Sequence, residues 1–235
     1  MINEFKYFYS FIKNPYVFKR TLKFNGSTLI SLLMLNILLV SLVSAITHLL
    51  HVETFFGISK NLALEKDISK NIFSLLIINS ICVPVMEELL FRSYLRNYFW
   101  NIVCLFLNLM FIFFSLFYFK NLTSLIVIIS FLAIVLLVSA VYIFFKDTER
   151  LIAKFVNTYY YLFFYTSAVA FGCIHLSNYT FINKIPVLCI FFVVPQIFGG
   201  IFLGYIRLKQ GLISSMIFHS LFNFTITILS LITKT

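Results

Sequence analysis

The chain has 235 residues, 61% of them hydrophobic and 11% charged, with a mean hydropathy of +1.01. A soluble domain carries about 25% charged residues, so an ordinary soluble enzyme is excluded and a polytopic membrane protein built as one bundle is indicated. The net charge of +10 does not point to nucleic acid, because the basic residues lie between apolar runs, where they read as topology signals and anchors for anionic lipid.

Residues 1–26 interleave Lys6, Lys13, Lys19, Arg20 and Lys23 with Phe5, Tyr7, Phe8, Tyr9 and Phe11. No apolar stretch with a small-residue cleavage site occurs there, so the segment reads as an arm at the membrane surface rather than a signal peptide. Seven apolar spans follow, at about 27–50, 71–92, 101–119, 122–145, 155–176, 185–206 and 211–232. Runs near 20 residues favour helices, since a barrel would alternate every second residue. The expected architecture is all-α: an interfacial arm (1–26) before a transmembrane helical bundle (27–235). With the N-terminus on the cytoplasmic side, the inner segments hold twelve Lys and Arg and the outer segments six, which favours N-in and C-out. Cys82, Cys104, Cys173 and Cys189 are scattered in apolar runs with no CxxC spacing, and read as small core residues.

Of the eight acidic residues, only Glu87 and Glu88 fall inside a span. A charge at the bilayer centre costs about 2.5–3.5 kcal/mol on insertion scales unless it pairs or meets a wet cavity. Successive helical residues point about 100° apart, so the two carboxylates are not a facing dyad. Glu88 and Arg92 are i,i+4 neighbours that can pair, which leaves Glu87 as the reactive carboxylate. The same residues also fit an acid–base cluster where the span leaves the bilayer, with Tyr94 and Arg96 beside it. His175 closes the fifth span. His219 and Asn223 share one face of the seventh, where an imidazole and an amide can form an oxyanion hole or a plain helix–helix hydrogen bond. His48 and His51, at the end of the first span, read as interfacial. Gln196, Gly199 and Gly200 read as a tight packing face, and Pro84 and Pro195 as loosening their helices to open carbonyls. The absence of His-Glu-x-x-His excludes a zincin, and the lack of an intramembrane Asp excludes an aspartyl protease. Ser214 and Ser215 are poorly spaced for a dyad with His219. No carboxylate relay threads the bundle, which disfavours a transporter.

Three patterns occur in order: Glu-Glu-x-x-x-Arg (Glu87, Glu88, Arg92), Phe-x-x-x-His (Phe171, His175) and His-x-x-x-Asn (His219, Asn223). Together they resemble the CPBP family of type II CAAX prenyl endopeptidases and bacteriocin-processing proteins, also called Abi. The resemblance covers about 80–100 and 165–225, including Pro195 through Asn223. It implies an intramembrane endopeptidase acting on membrane-associated, leader-bearing or lipid-anchored peptides. By that analogy Glu87 and His175 activate water, His219 and Asn223 stabilise the oxyanion, and Glu88, Arg92 and Phe171 support the site. The resemblance also leaves two alternatives open: a non-catalytic immunity or scaffold protein, and a Glu-His-His zinc site in place of the metal-free route with no cofactor that we expect. Partners implied are a peptide or lipid-anchored substrate and membrane lipids. The chain departs from the family pattern by inserting 101–145 between the first two motifs. At 1.5 Å per residue, His219 lies about 12 Å from the inner end of its span, whereas a span beginning at 155 carries His175 towards the outer end.

Overall fold

The computed structural model describes residues 2–18, 24–49, 58–60, 72–117, 149–181, 190 and 192–232. Among the described residues, eight helices carry the fold. They are α1 (Ile2–Lys13), α2 (Gly26–Leu49), α3 (Ile72–Ile77, continuing through a π-helical turn Ile78–Cys82 into Val83–Phe91), α4 (Tyr98–Phe117), α5 (Glu149–Thr158), α6 (Tyr160–Ile174), α7 (Val194–Gln210) and α8 (Leu212–Ile232). A short antiparallel pair, β1 (Ile58–Lys60) with β2 (Tyr179–Phe181), departs from the purely helical expectation. The expected fourth span (122–145), His51 and Cys189 lie outside the described residues, as does the side chain of His48.

The α6–α7 pair is the centre of the bundle, with α4 packed on α6 and α2 and α8 packed on α7. Glycines allow the close approach. A Cβ at Gly200 would stand 3.1 Å from the Ala168 Cα and carbonyl oxygen, and one at Gly204 would stand 2.6 Å from the Phe164 ring. Gly199, expected on the same packing face, has open space beside it, because one residue along a helix turns about 100° away.

α2 begins at an Asn cap: the Asn25 side-chain oxygen accepts from the Ser27 and Thr28 backbone N–H at 3.1 and 3.3 Å. Its buried face carries Leu29, Leu32 and Asn36, while Ile30, Met34, Leu38, Leu42 and Ile46 form an outward stripe every four residues. An apolar stripe of that length needs an apolar neighbour, and a bilayer supplies one. Among the described residues, two helices are long and apolar enough to cross a membrane, through the windows Gly26–Val43 and Leu212–Leu229. Three of the other expected spans differ from continuous α-helices of that length among the described residues. α3 is interrupted by its π turn. The stretch 155–176 is broken at Tyr159 (φ −110°, ψ 23°), so α6 has 15 residues. Within the stretch 185–206, α7 begins at Val194, with Pro195 in its first turn, where no intrahelical N–H is required. Pro195 therefore starts a helix rather than loosening one.

The N-terminal arm is a docked amphipathic helix. Phe8 stacks on Phe202 with centroids 4.5 Å apart, and Phe11 meets Phe164 and Tyr205 at 5.1 and 5.0 Å. Lys209 Nζ pairs with Glu4 at 2.5 Å, and the Tyr165 hydroxyl donates to the Ile12 carbonyl. Lys6, Tyr7, Tyr9 and Lys13 remain on the outer face. Arginines satisfy carbonyls at the ends of α3 and α7. Arg207 donates to the Arg92 and Ser93 carbonyls at 3.0 Å each, and Arg96 donates to Leu208 and Phe18 at 2.9 and 3.1 Å. Gly211 closes α7 at φ 101°, a left-handed conformation that glycine adopts without a Cβ clash.

Candidate functional site

The site is built where α3, α6 and α8 meet. Its local cause is Pro84. In the π turn the Val83 N–H bonds to the Ile78 carbonyl, five residues back. The next donor in that register would be residue 84, and proline has none. The Asn79 carbonyl therefore lacks a helical partner, and the Asn223 amide of α8 fills the gap at 3.1 Å. The expectation that Pro84 opens a carbonyl holds, and the opened carbonyl positions one of the candidate residues. Single π turns inside α-helices recur at functional sites.

One turn later, both glutamates converge on His219. Its Nδ1 lies 3.2 Å from Glu88 Oε1, and its Nε2 lies 3.4 Å from Glu87 Oε2. An imidazole presents nitrogens on two sides, so carboxylates set about 100° apart can both reach it without facing each other. An ionised carboxylate only accepts, so Nδ1 donates to Glu88. Arg92 Nη1 stands 3.5 Å from the same Glu88 oxygen, and both side chains are fully buried. The Arg92 guanidinium nitrogens make no hydrogen bond; the charge lies 3.9 Å from the centre of the Phe171 ring. Phe171 also meets the His175 and His219 rings edge-on, at 5.2 and 5.5 Å. Phe171 thus holds a cation and two imidazoles around one ring. The Ser167 hydroxyl donates to the Phe91 carbonyl at 2.6 Å and ties α6 to the end of α3.

A cavity of about 280 Å³ opens beside this cluster, walled by Phe171, His175, His219, Asn223, Asn36, Asn178, Gln196 and the apolar side chains of Val40, Leu203, Phe218, Phe222 and Ile226. His175 and His219 share this wall. The break at Tyr159 starts α6 at residue 160, which reduces the depth mismatch expected from a span beginning at 155 by about 7 Å. Glu87, Glu88 and Arg92 are not part of the wall; they meet it through His219. Glu87 Oε2, Glu88 Oε2 and Ser80 Oγ are buried without a hydrogen-bond partner, and such orphans in a native structure call for a functional or bound-water account.

Other candidates fall away on geometry. Ser215 and Ser214 donate to the Leu212 and Gln210 carbonyls, at 2.8 and 3.2 Å, which leaves neither hydroxyl bonded to His219. Among the described residues, no three His, Cys, Asp or Glu side chains are arranged to hold a metal ion. Sequence reasoning missed Asn36 and Asn79. Asn36 is an amide in an otherwise apolar run, the same signal that singled out the glutamates, whereas Asn79 contributes its backbone carbonyl, which no side-chain signal marks.

Residues 148–225 match the family model for type II CAAX prenyl endopeptidase Rce1-like proteins. The match agrees with the resemblance read from the three motifs. It spans α5 through most of α8, and so includes Phe171, His175, His219 and Asn223. No curated protein and no solved structure matches the chain.

Proposed function

We propose that the chain is an intramembrane endopeptidase that hydrolyses peptide bonds of membrane-associated, leader-bearing or lipid-anchored substrates with a glutamate-activated water. The observation that carries this reading is the convergence of two buried glutamates on one histidine at the edge of a cavity that also presents a second histidine and an amide. The match to a prenyl endopeptidase family supports the same class of chemistry. The outward apolar stripe of α2 and the bilayer-length α8 support a multi-pass protein, with the N-terminus cytoplasmic by its charge distribution.

In this mechanism Glu87 takes a proton from a water held with the help of His175. The water oxygen adds to the scissile carbonyl carbon, and the carbonyl π pair moves onto oxygen. Asn223 spends one N–H on Asn79 and has a second for that oxyanion. His219 supplies the other contact as an imidazolium, in which both ring nitrogens donate: Nδ1–H stays on Glu88, and Nε2–H can turn to the oxyanion because 3.4 Å to Glu87 is longer than a well-formed N–H···O bond. Collapse expels the amine, which takes its proton from Glu87. Glu88 fixes the His219 ring through Nδ1, and Arg92 balances the charge of Glu88. No step is routed through a metal.

The test is cleavage of a defined mixture of apolar peptides by purified full-length protein in nanodiscs, read by mass spectrometry. Wild type should cut, a zinc chelator should leave the rate unchanged, and His175→Ala and Asn223→Ala should each lower kcat/KM by about 10²-fold. A wild-type protein that inserts and accumulates but cuts nothing overturns the reading in favour of a non-catalytic scaffold.

A further inference from the structure

Two amides in the cavity wall with buried side-chain oxygens are unused by that chemistry. Asn36, from α2, is 2% exposed, and its side-chain oxygen is buried without a hydrogen-bond partner. Gln196, from α7, likewise carries a buried, unpartnered side-chain oxygen. Both residues line the same cavity as His175 and His219. A buried amide oxygen left unsatisfied forfeits the hydrogen bonds it makes in water, so two at one wall need a reason. Packing supplies none, since Ala or Leu would fill either position without the penalty.

A primary amide offers a donor and an acceptor side by side, as a peptide unit does. A peptide entering a site at membrane depth brings backbone N–H and C=O groups out of bulk water, and protein groups must meet most of them. Beyond the histidines, Asn223 and the exposed Asn178, the wall is lined by apolar side chains, among them Val40, Leu203, Phe218, Phe222 and Ile226. Resting on the endopeptidase reading, we propose that Asn36 and Gln196 form a substrate-backbone subsite. Their side-chain amides bond the main chain of an extended peptide segment while its apolar side chains occupy the pocket. The amides fix register and the pocket selects uncharged, apolar residues beside the scissile bond.

The test separates this subsite from turnover by measuring binding in Glu87→Gln protein, where cleavage does not intervene. The probe is a fluorescent, end-blocked Leu-Val-Phe-Leu peptide added to full-length protein in nanodiscs, with a backbone N-methylated copy beside it. Asn36→Ala and Gln196→Ala should each weaken binding about 5–10-fold. N-methylation should weaken binding to the parent protein similarly, yet cause little further loss in the alanine variants. Asn36→Asp, which keeps an acceptor but adds charge, should also bind more weakly, whereas Val40→Leu on the same wall should not show the N-methyl coupling. Equal binding by the alanine variants, or full N-methyl sensitivity retained in them, overturns the subsite. Turnover is scored separately in the Glu87 background: binding that depends on both amides with no cleavage by wild type leaves the subsite standing and sinks the endopeptidase reading. Cleavage by wild type with no role for either amide does the reverse.

Discussion

Arg92 is the side chain whose removal has the most readable consequence. It and Glu88 are fully buried and 3.5 Å apart. With an effective dielectric near 20, the Coulomb attraction at that distance is about 5 kcal/mol. The guanidinium also faces Phe171 at 3.9 Å, a desolvated cation–π contact of about 2 kcal/mol. Desolvation offsets much of both, so the intact pair contributes little net stability. Arg92→Met is different, because it removes the cation beside Glu88 and leaves that buried carboxylate with only the His219 Nδ1–H against it, and removing one partner of a buried pair costs about 3–5 kcal/mol. For a chain of this size that corresponds to a fall in Tm of about 6–20 °C. Glu88→Gln combined with Arg92→Met removes both charges and should recover most of the loss, although His219 loses its charged partner and cleavage does not return. Size-exclusion thermal unfolding in detergent reads both variants. An Arg92→Met protein within about 1 kcal/mol of wild type, or a double variant no better than the single one, would refute the reasoning.

Three further outcomes follow from the geometry. Gly200→Ala should destabilise by about 1–3 kcal/mol, since its Cβ would press on the Ala168 backbone and the Arg92 guanidinium, whereas Gly199→Ala should be neutral or slightly stabilising; equal melting shifts would contradict the packing account. Asn223→Ala should cost about 1–3 kcal/mol by orphaning the Asn79 carbonyl, and less in a Pro84→Ala background, where residue 84 regains an N–H; strictly additive shifts in a double-mutant cycle would contradict the π-turn account. Burial opposes the Lys209 charge, but Glu4 and the Tyr205 hydroxyl outweigh it and hold its pKa above the ordinary 10.5. A raised folded-state pKa stabilises fully below the unfolded value and fades as pH rises through the folded one, so α1 should loosen only in strongly alkaline solution. A spin label on Tyr9→Cys in a cysteine-free background should gain mobility there, and at neutral pH in Lys209→Met; a label equally immobile in that variant would refute the clasp.

The site was more legible in the sequence than the fold around it. Glu87, Glu88, Arg92, His219 and Asn223 stood out because ionisable and amide groups are costly in apolar helices, and helical spacing alone paired Glu88 with Arg92. Spacing along one helix does not say what faces it from another, so the capture of His219 by both glutamates was not readable. Nor was the bond from Asn223 to Asn79, which needs the π register and Pro84 together. Span boundaries failed where hydropathy is continuous but the backbone is not. The run 155–176 stays apolar across Tyr159, where the chain turns, and Pro195 sits in an apolar run yet opens a helix. Gly199 and Gly200 are identical in sequence terms, and only their direction on α7 separates a packing contact from a cavity wall.

The central claim is that Glu87 is the group that activates water for peptide-bond hydrolysis. The most direct measurement is the cleavage rate of Glu87→Gln protein beside wild type, both purified in nanodiscs and matched for melting temperature. The glutamine keeps the shape and can still bond His219 but accepts no proton, so the account predicts a fall of about 10²–10⁴-fold. A Glu87→Gln protein that cuts within a few-fold of the wild-type rate would contradict it.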